Sequence, residues 1–493
     1  MKKALALLLA TLMLLSIVPV MAETTRPLMT IDLISYAEND PTDDTFEAAL
    51  EELTGYEIKI NWIPTIGYAD KINTLIASDS MSRITIVTQN RGSAFVNAAR
   101  TGMFWQLDDY MAGYDNLAQL DPRIYNNVRI DGKLYGIPRD RALVRQGLMY
   151  RKDWADEAGL DRPKSLEDIK TMVETFSKRE GVKFGLTTGY QAADYLPEGL
   201  LYTAIMAGAP NTWGCDQSGN FTHAFTTQEY FNAVKMWREW YENGYMNKNY
   251  LEINQDDGKT ISIVNGEAGF AFNYVDGLGT AYPELYKNDP EAQLWFSYGF
   301  TNAATGNDVA IATSGFNGVV AFSKTSNPTE DDLKQCLDFC NKLTSTEAAD
   351  IFNWGVEGYT YSIDADGHGV RNDEQYAQFN STCGYYGQIN IFSICNASSI
   401  DAAGLTELQL ACRDEKFTWY DVALSDCSIG LESKTWLEIG TTDLTPIMSD
   451  TINMYITGQI DDEGYWAGVQ EWLAAGGQDV IDEYYAAYQA AHQ

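Results

Sequence analysis

The sequence predicts an α/β protein built around parallel β-sheet, and three observations lead to this prediction. Short apolar runs alternate with amphipathic stretches between residues 29 and 87. This alternation is typical of βαβ units, in which helices connect parallel strands. The chain has 493 residues, which is enough for two or three domains. Hydrophobic residues make up 45% of it and charged residues 21%, the composition of a folded globular protein.

The first elements follow from the spacing of apolar residues. Strands are predicted at 29–34, 56–63 and 84–87, and helices at 46–53 and 68–77. Gly55 is predicted to end the first helix. In open α/β sheets, ligands bind outside the carboxyl ends of the strands. The loops 36–40 and 89–92 are therefore candidate ligand loops.

Later elements are placed by the same patterns. A tight turn at 131–138 precedes new structure at 148–154. A strand is predicted at 315–322, and helices at 166–178, 228–241, 331–343 and finally 470–491.

The N-terminus has the features of a secretory signal peptide. Lys2 and Lys3 precede the apolar run 4–18, and a site acceptable to signal peptidase ends at Ala22. We therefore expect an exported protein, periplasmic or at the cell surface, cleaved near Ala22. No cysteine lies close to that point, so the lipobox of a lipid-anchored protein is missing.

Charge and motifs exclude several functions. The 34 basic and 69 acidic residues give a formal charge of −35, which repels polyanions and excludes nucleic-acid binding. The three histidines are scattered, and no P-loop, G-x-G-x-x-G or G-x-S-x-G motif occurs. We therefore predict no catalytic residues and no cofactor. A carboxylate pair of the glycosidase type has weak support among so many acids.

Cysteines and one acidic loop do not indicate a metal site. The seven cysteines form no C-x-x-C motif, and their odd count leaves at least one unpaired. Cys336 and Cys340 are interpreted as buried thiols, and no bridge is predicted. Asp364, Asp366 and Gly369 match positions 1, 3 and 6 of a calcium loop, but position 12 is Gln375. A β-turn explains this loop without an ion.

Aromatic residues supply the positive evidence for function. They make up 12% of the chain, and many lie in loops among Asn, Asp and Gly, as at 211–214, 273–277 and 353–359. Aromatic rings stack on the C–H faces of sugars, and neighbouring polar groups bind the hydroxyls. The alternative is that these rings belong to the core.

Several blocks of sequence together resemble a known family. The chain is similar to the family 1 extracellular solute-binding proteins of ABC importers, especially the large oligosaccharide-binding branch that includes alginate-binding proteins. The similar blocks are 46–55, 69–78, 131–138, 150–154, 241–245, 353–358 and 474–477. Two departures stand out, since the calcium loop of related proteins is not matched at 178–183 and the lipobox cysteine is absent.

The resemblance implies a two-lobed, type II periplasmic-binding-protein-like fold. The expected first lobe is 23–140 plus 313–345, and the second is 141–312 plus 346–493. Crossings are expected near 138–143, 313 and 344. Members close by hinge bending and deliver a solute to a membrane permease, and this domain plan implies a monomer.

The resemblance also implies where ligand-binding residues lie. Ten candidates come from loops at the strand ends. They are Tyr36, Asn39, Asn90 and Arg91 of the first lobe, Arg139 and Arg141 of the hinge region, and Tyr274, Asp276, Trp354 and Glu357, which follow the second-lobe blocks that approach ligand in relatives. Arg91 and Arg139 suit a sugar carboxylate, which favours a uronic acid, although pairing with local acids is an alternative. The expected function is carbohydrate binding for import. The alternatives are a peptide or other polar solute as ligand, or a secreted carbohydrate-active enzyme.

Overall fold

A computed structural model describes residues 26–35, 41, 43–88, 90, 92–191, 194–253, 258–274, 281, 284–390, 398–403 and 407–491. Its strands are β1 Leu28–Ser35, β2 Glu57–Pro64, β3 Ile84–Val87, β4 Ile137–Asp140, β5 Gln146–Arg151, β6 Phe184–Leu186, β7 Trp213–Cys215, β8 Phe221–His223, β9 Ala268–Tyr274, β10 Leu294–Ser297, β11 Gly299–Thr301, β12 Asp308–Ile311, β13 Phe316–Ala321, β14 Ser362–Ile363, β15 Gly369–Val370 and β16 Ala423–Leu424.

The helices complete the framework around these strands. They are α1 Thr45–Thr54, α2 Tyr68–Ala77, α3 Ser93–Arg100, α4 Pro122–Asn127, α5 Lys152–Glu157, α6 Leu166–Ser177, α7 Leu200–Ala207, α8 Gln228–Glu242, α9 Gly258–Val264, α10 Glu330–Leu343, α11 Thr346–Trp354, α12 Asp373–Ser381, α13 Cys383–Tyr386, α14 Glu407–Glu415, α15 Lys434–Ile439, α16 Thr445–Ile456, α17 Asp462–Trp472 and α18 Gln478–Ala491. None of the helices in the described part of the chain is long and apolar enough to cross a membrane.

The first lobe is built on a sheet of order β2-β1-β3-β13-β4. β1 runs parallel to β2 and β3, which confirms the predicted βαβ arrangement. α1 ends at Gly55, as predicted, because a φ of 77° there lets its N–H reach the Glu51 carbonyl. Apolar residues of β1, β3, α1 and α10 form one core.

The second lobe is built on a sheet of order β10-β5-β9-β6. Side chains of a strand alternate between the two faces of its sheet. Accordingly, Leu148 and Tyr150 of β5 belong to one core and Met149 belongs to another. The larger core also includes buried side chains of α7, α8, α16 and α17.

Two chain segments that connect the lobes run side by side. The Arg141 N–H donates to the Gly315 carbonyl at 2.8 Å, and the Thr313 N–H donates to the Leu143 carbonyl at 2.7 Å. On either side of these segments the buried residues belong to different cores, as Ile137 and Val144 do. These two crossings therefore form a paired hinge.

A third crossing lies further along the chain than the sequence suggested. α11 contacts α1, and Phe352 and Cys383 belong to the core of the first lobe. Cys412 belongs to a core of the second lobe. The chain therefore passes from the first-lobe core to a second-lobe core after Ile389 and before Cys412, and the expectation of a crossing near 344 is wrong. Thr344 only links α10 to α11, two helices of the same lobe.

A disulfide corrects the interpretation of the cysteines. Cys215 of β7 is bonded to Cys427, with Cα atoms 5.9 Å apart. The two are separated by 212 residues, so their spacing gave no signal of pairing. Cys336, Cys340, Cys383 and Cys412 are buried free thiols, which confirms the interpretation of the first two.

Gly199 is expected to be intolerant of a side chain. Its φ is +97°, and a Cβ there would collide with the ring of Phe272. We expect Gly199→Ala to lower the free energy of unfolding by about 3 kcal/mol, since it adds overpacking to backbone strain. Gly244→Ala is the matched control, because Gly244 has a φ of +71° but no atom within 4 Å of an added Cβ. Equal losses in urea unfolding of the two variants would contradict the packing argument.

Candidate functional site

The first-lobe edge of the candidate site is formed where β3 ends and β13 begins. Val87 lies opposite Val319, and Phe316 lies opposite Asp140, so residues 88 and 90 lie at the same edge as residues 140 and 141. Asn90 is only 5% exposed, and its Nδ2 has no hydrogen-bond partner among the described residues. Buried polar groups are normally hydrogen-bonded, so this amide is a candidate for contact with a polar ligand.

The two hinge arginines differ in position. Arg139 is fully buried in β4, and its Nη1 donates to the Asn317 carbonyl at 3.2 Å. Its guanidinium is therefore not exposed to solvent, contrary to the expectation that it would bind a sugar carboxylate. Arg141 is half-buried, and its Nη1 donates to the Asp140 carbonyl at 2.7 Å. Arg141 directly follows β4, at the same edge of the sheet as Asn90.

Four of the predicted residues lie outside the described part of the chain. They are Tyr36, Asn39, Arg91 and Asp276. Their place in the site stays a prediction.

Trp354 is a buried residue at the end of α11. It is 8% exposed, and its Nε1 donates to the Ile400 carbonyl at 3.0 Å. The Arg371 guanidinium lies 4.6 Å from the ring centroid, and the backbone of Gly369 lies against the ring. The core interpretation therefore holds for this ring, and stacking on a sugar does not fit it. Glu357, three residues on, is exposed.

The second-lobe edge brings several buried polar groups together at the ends of β6 and β9. Thr187 follows β6 and donates its N–H to the Phe270 carbonyl of β9 at 2.9 Å. The Thr187 Oγ1, the Tyr202 hydroxyl and the Asn273 Nδ2 are all buried without a hydrogen-bond partner among the described residues. Burial also holds the pKa of Tyr202 well above its usual value. This edge therefore offers neutral hydrogen-bonding groups.

Tyr274, one of the candidate ligand-binding residues, lies at the same edge. It is the last residue of β9, it is half-buried, and the Arg145 guanidinium lies 4.6 Å from its ring centroid. Arg145 immediately precedes β5, which pairs with β9. A cation and an aromatic ring therefore stand together beside the hinge. Sequence reasoning missed Arg145, Thr187 and Tyr202, because no motif marks them.

An exposed aromatic platform extends from this edge. The loop between β6 and α7 carries Tyr190 and Tyr195, whose rings are parallel within 8° with centroids 5.3 Å apart. Tyr195 is 59% exposed and has a φ of +56°, which is unusual for a residue with a side chain. Asn453 Nδ2 donates to the Tyr195 carbonyl at 3.0 Å and holds the loop. Strained backbone of this kind is concentrated at ligand-binding sites.

The platform borders a groove along α16, which we call the α16 groove. Its volume is about 550 Å³, and Tyr195 and Leu251 contribute to one wall. The other wall carries hydroxyl and amide side chains at every fourth position, and they are Thr441, Thr445, Ser449, Asn453 and Thr457. Residues four apart lie on one face of a helix. In the sequence, this polar stripe is indistinguishable from a solvated helix surface.

A second, smaller cavity adjoins the groove, and we call it the apolar cavity. Its volume is about 270 Å³, and it shares Thr441 and Thr445 with the α16 groove. Most of its wall is apolar, including Leu196, Leu200 and Met448. Its remaining polar lining residues are Gln191, Asp194, Thr212, His223 and Tyr230.

Two residues that line the apolar cavity, Asp194 and His223, change charge below neutral pH, and burial disfavours the charged form of each. It raises the pKa of Asp194 to about 6, although the Leu196 N–H donates to its Oδ1. It lowers the pKa of His223 to about 3. The His223 Nδ1 accepts the Phe225 N–H at 3.2 Å, so the neutral ring carries its proton on Nε2.

His223 is expected to make stability fall in acid. Because its folded pKa of about 3 lies below the unfolded value, the folded state binds fewer protons between pH 6.5 and 3. The free energy of unfolding should therefore fall through that window, by about 2 kcal/mol at pH 5. His223→Asn, whose Oδ1 replaces the Nδ1 acceptor, should remove this component. Asp194 acts in the opposite sense, so the difference between the two proteins across pH isolates His223. An unchanged pH profile in the variant would contradict the assignment.

The acidic loop weighed in the sequence forms a turn between β14 and β15. Ligand atoms of Asp364, Asp366 and His368 lie within 4.8 Å of one another. The Asp364 Oδ1 accepts the N–H groups of Asp366 and His368 at 2.9 and 2.8 Å. These bonds are those of the predicted β-turn.

Comparison with known proteins agrees with this architecture. Residues 44–360 match the family model described as bacterial extracellular solute-binding protein. The polygalacturonan/rhamnogalacturonan-binding protein YtcQ of Bacillus subtilis (strain 168) is 30% identical over 468 residues, covering 93% of this chain and 90% of that protein.

Solved structures show the same fold. An extracellular solute-binding protein from Bifidobacterium longum subsp. infantis superposes with a TM-score of 0.71 at 13% identity, covering 95% of this chain and 99% of that one. The alginate-binding protein AlgQ2 gives a TM-score of 0.66 at 16% identity, covering 94% and 98%. The two-lobed fold predicted from the sequence is confirmed.

Proposed function

Because this chain belongs to the bacterial extracellular solute-binding protein family, we propose that it binds an oligosaccharide non-covalently between its lobes and delivers it to the permease of an ABC importer. The observation that supports a sugar most directly is the stacked pair Tyr190 and Tyr195 beside the α16 groove, which is the second-lobe part of the proposed site. An aromatic platform next to a stripe of hydroxyl and amide groups suits a chain of sugar rings.

Within that class, an oligosaccharide containing uronic acid is the preferred ligand. The relative YtcQ is named for binding polygalacturonan and rhamnogalacturonan. Arg141 and Arg145 stand at the two lobe edges beside the hinge, where a carboxylate would meet a cation. The chain is otherwise strongly acidic, so cations gathered at this point favour an anionic ligand locally.

Binding is proposed to proceed by closure of the lobes. The paired crossings at 141–143 and 313–315 provide the hinge. A ligand that contacts Asn90 on one lobe and Asn273 on the other binds the closed form better than the open form, and this difference drives closure. No chemical step is involved, so the sugar leaves unchanged. The protein is proposed to act as an exported monomer after cleavage near Ala22.

The first experiment is a thermal-shift and calorimetry panel on the purified protein. It should compare oligogalacturonides, rhamnogalacturonan oligosaccharides, neutral oligosaccharides and peptides. A ligand at 100 times its Kd stabilises the folded state by about 2.7 kcal/mol. We expect the acidic oligosaccharides to raise the Tm and to be recovered intact. Stabilisation by neutral sugars alone would refute the uronic-acid preference, and stabilisation by peptides alone would refute the sugar. Recovery of cleaved products would show an enzyme.

A further inference from the structure

The apolar cavity and the α16 groove share a boundary but differ in chemistry. Thr441 and Thr445 line both, so a ligand lying in the groove borders the cavity. On the cavity side, Leu200 is buried within the second-lobe core, and Met448 packs there as well. The groove side presents mainly hydroxyl and amide groups, together with the carboxyl group of Asp450 and the apolar side chains of Leu251 and Met454.

We propose that the apolar cavity receives an apolar substituent, in the first instance an acetyl group, carried by a sugar bound in the α16 groove. This inference rests on the proposed function, because it takes the groove to be a carbohydrate site. Binding of the substituent in the apolar cavity makes the protein selective for substituted over unsubstituted oligosaccharides.

The lining of the cavity suits a neutral substituent better than a bare sugar ring. A hydroxyl placed among Leu196, Leu200 and Met448 would lose hydrogen bonds to water, whereas a methyl group gains from burial there. His223 lines the cavity and carries its proton on Nε2, so it is a candidate donor to an acetyl carbonyl, which is an acceptor.

The same lining disfavours a free carboxylate. Asp194 lines the cavity, and no Lys or Arg does. A uronate pushed into this space would face a carboxyl group and apolar walls without a counter-ion. The cavity therefore separates neutral from ionised substituents, while the hinge arginines remain the place for a carboxylate.

The size of the cavity also favours a substituent over an independent ligand. Its volume of about 270 Å³ lies below the range of roughly 300–1,000 Å³ that holds a small-molecule ligand on its own. The adjoining groove is twice as large. A substituent on a sugar that is bound in the α16 groove does not depend on the cavity alone for binding, because the groove binds the sugar itself.

The test compares one oligosaccharide in two forms. Calorimetry should measure binding of an O-acetylated oligogalacturonide and of the same compound after deacetylation, which leaves the carboxylates unchanged. We expect the acetylated form to bind about 10-fold more tightly, the discrimination typical of a small group in an apolar pocket. Equal affinities would overturn the inference and leave the proposed function intact. Binding of neither form, nor of any other oligosaccharide, would overturn the proposed function itself.

A cavity-filling variant locates the effect. Leu201 is half-buried and lines the apolar cavity but not the groove, so Leu201→Phe should abolish the preference and leave binding of the deacetylated form unchanged. Leu166→Phe is the matched control, since Leu166 packs against the same core and lines neither space. Ala224→Val fills the cavity from another wall if the first variant does not fold. A preference that persists in a folded cavity-filling variant would overturn the inference.

Discussion

Loss of the Cys215–Cys427 disulfide should lower the free energy of unfolding by about 5 kcal/mol. The bond closes a loop between residues 212 apart, and the entropy that a cross-link removes from the unfolded chain grows with loop length. The expected value follows from that relation for a loop of this size. The measurement is urea unfolding of the Cys215→Ala/Cys427→Ala double variant against the parent.

Reduction supplies the control for this prediction. Dithiothreitol should destabilise the parent protein and leave the double variant unaffected, because the four other cysteines that the structure describes are free. If the reductant has no effect on the parent, the bond does not form or does not contribute. A disulfide bond also fits the proposed export of this protein, since oxidising compartments preserve such bonds.

Removal of the stacked tyrosines should cause the largest loss of ligand affinity. Tyr190→Ala/Tyr195→Ala takes away the exposed platform beside the α16 groove. An aromatic anchor at a binding site contributes at least about 2 kcal/mol, so we expect a loss of about 30-fold or more in affinity for the preferred oligosaccharide. Calorimetry with the ligand found by the panel is the measurement.

Two control variants test whether the loss of affinity comes from removal of the tyrosine rings beside the groove. Tyr195→Phe keeps the ring and should retain most of the affinity. Tyr485→Ala removes a tyrosine of α18 that is 43% exposed and lines neither cavity, so it should bind like the parent. If the double alanine variant binds as tightly as Tyr485→Ala does, the platform is not part of the site.

Local signals in the sequence were sufficient for the first βαβ units. The helix 68–77 and the strand 84–87 are observed as predicted, and Gly55 ends α1. Each of these features depends on residues close in sequence. The pairing of β13 between β3 and β4 depends on residues far apart, because Val319 lies opposite both Val87 and Pro138. No short-range pattern contains that information.

The positions of the candidate site residues were predicted only in part, because local patterns locate loops but contain no information about contacts between distant residues. Asn90, Arg141 and Tyr274 do lie at the lobe edges, since the rule about strand ends locates loops. It does not say which way a side chain points, and Arg139 and Trp354 prove to be buried. The polar stripe of α16 becomes visible only when Tyr195 is seen opposite it.

The position of β13 also sets the order in which the chain can fold. The first-lobe sheet lacks β13, which lies between β3 and β4, until residue 321 has been synthesised. β4 has no other partner within that sheet. The core residues between Val144 and Ile311 that the structure describes belong to the second lobe. Structures that depend on such distant contacts fold slowly. A newly made chain therefore stays without a complete first-lobe sheet throughout most of its synthesis. This suits the proposed export, because an incompletely folded chain can cross a membrane in an extended form.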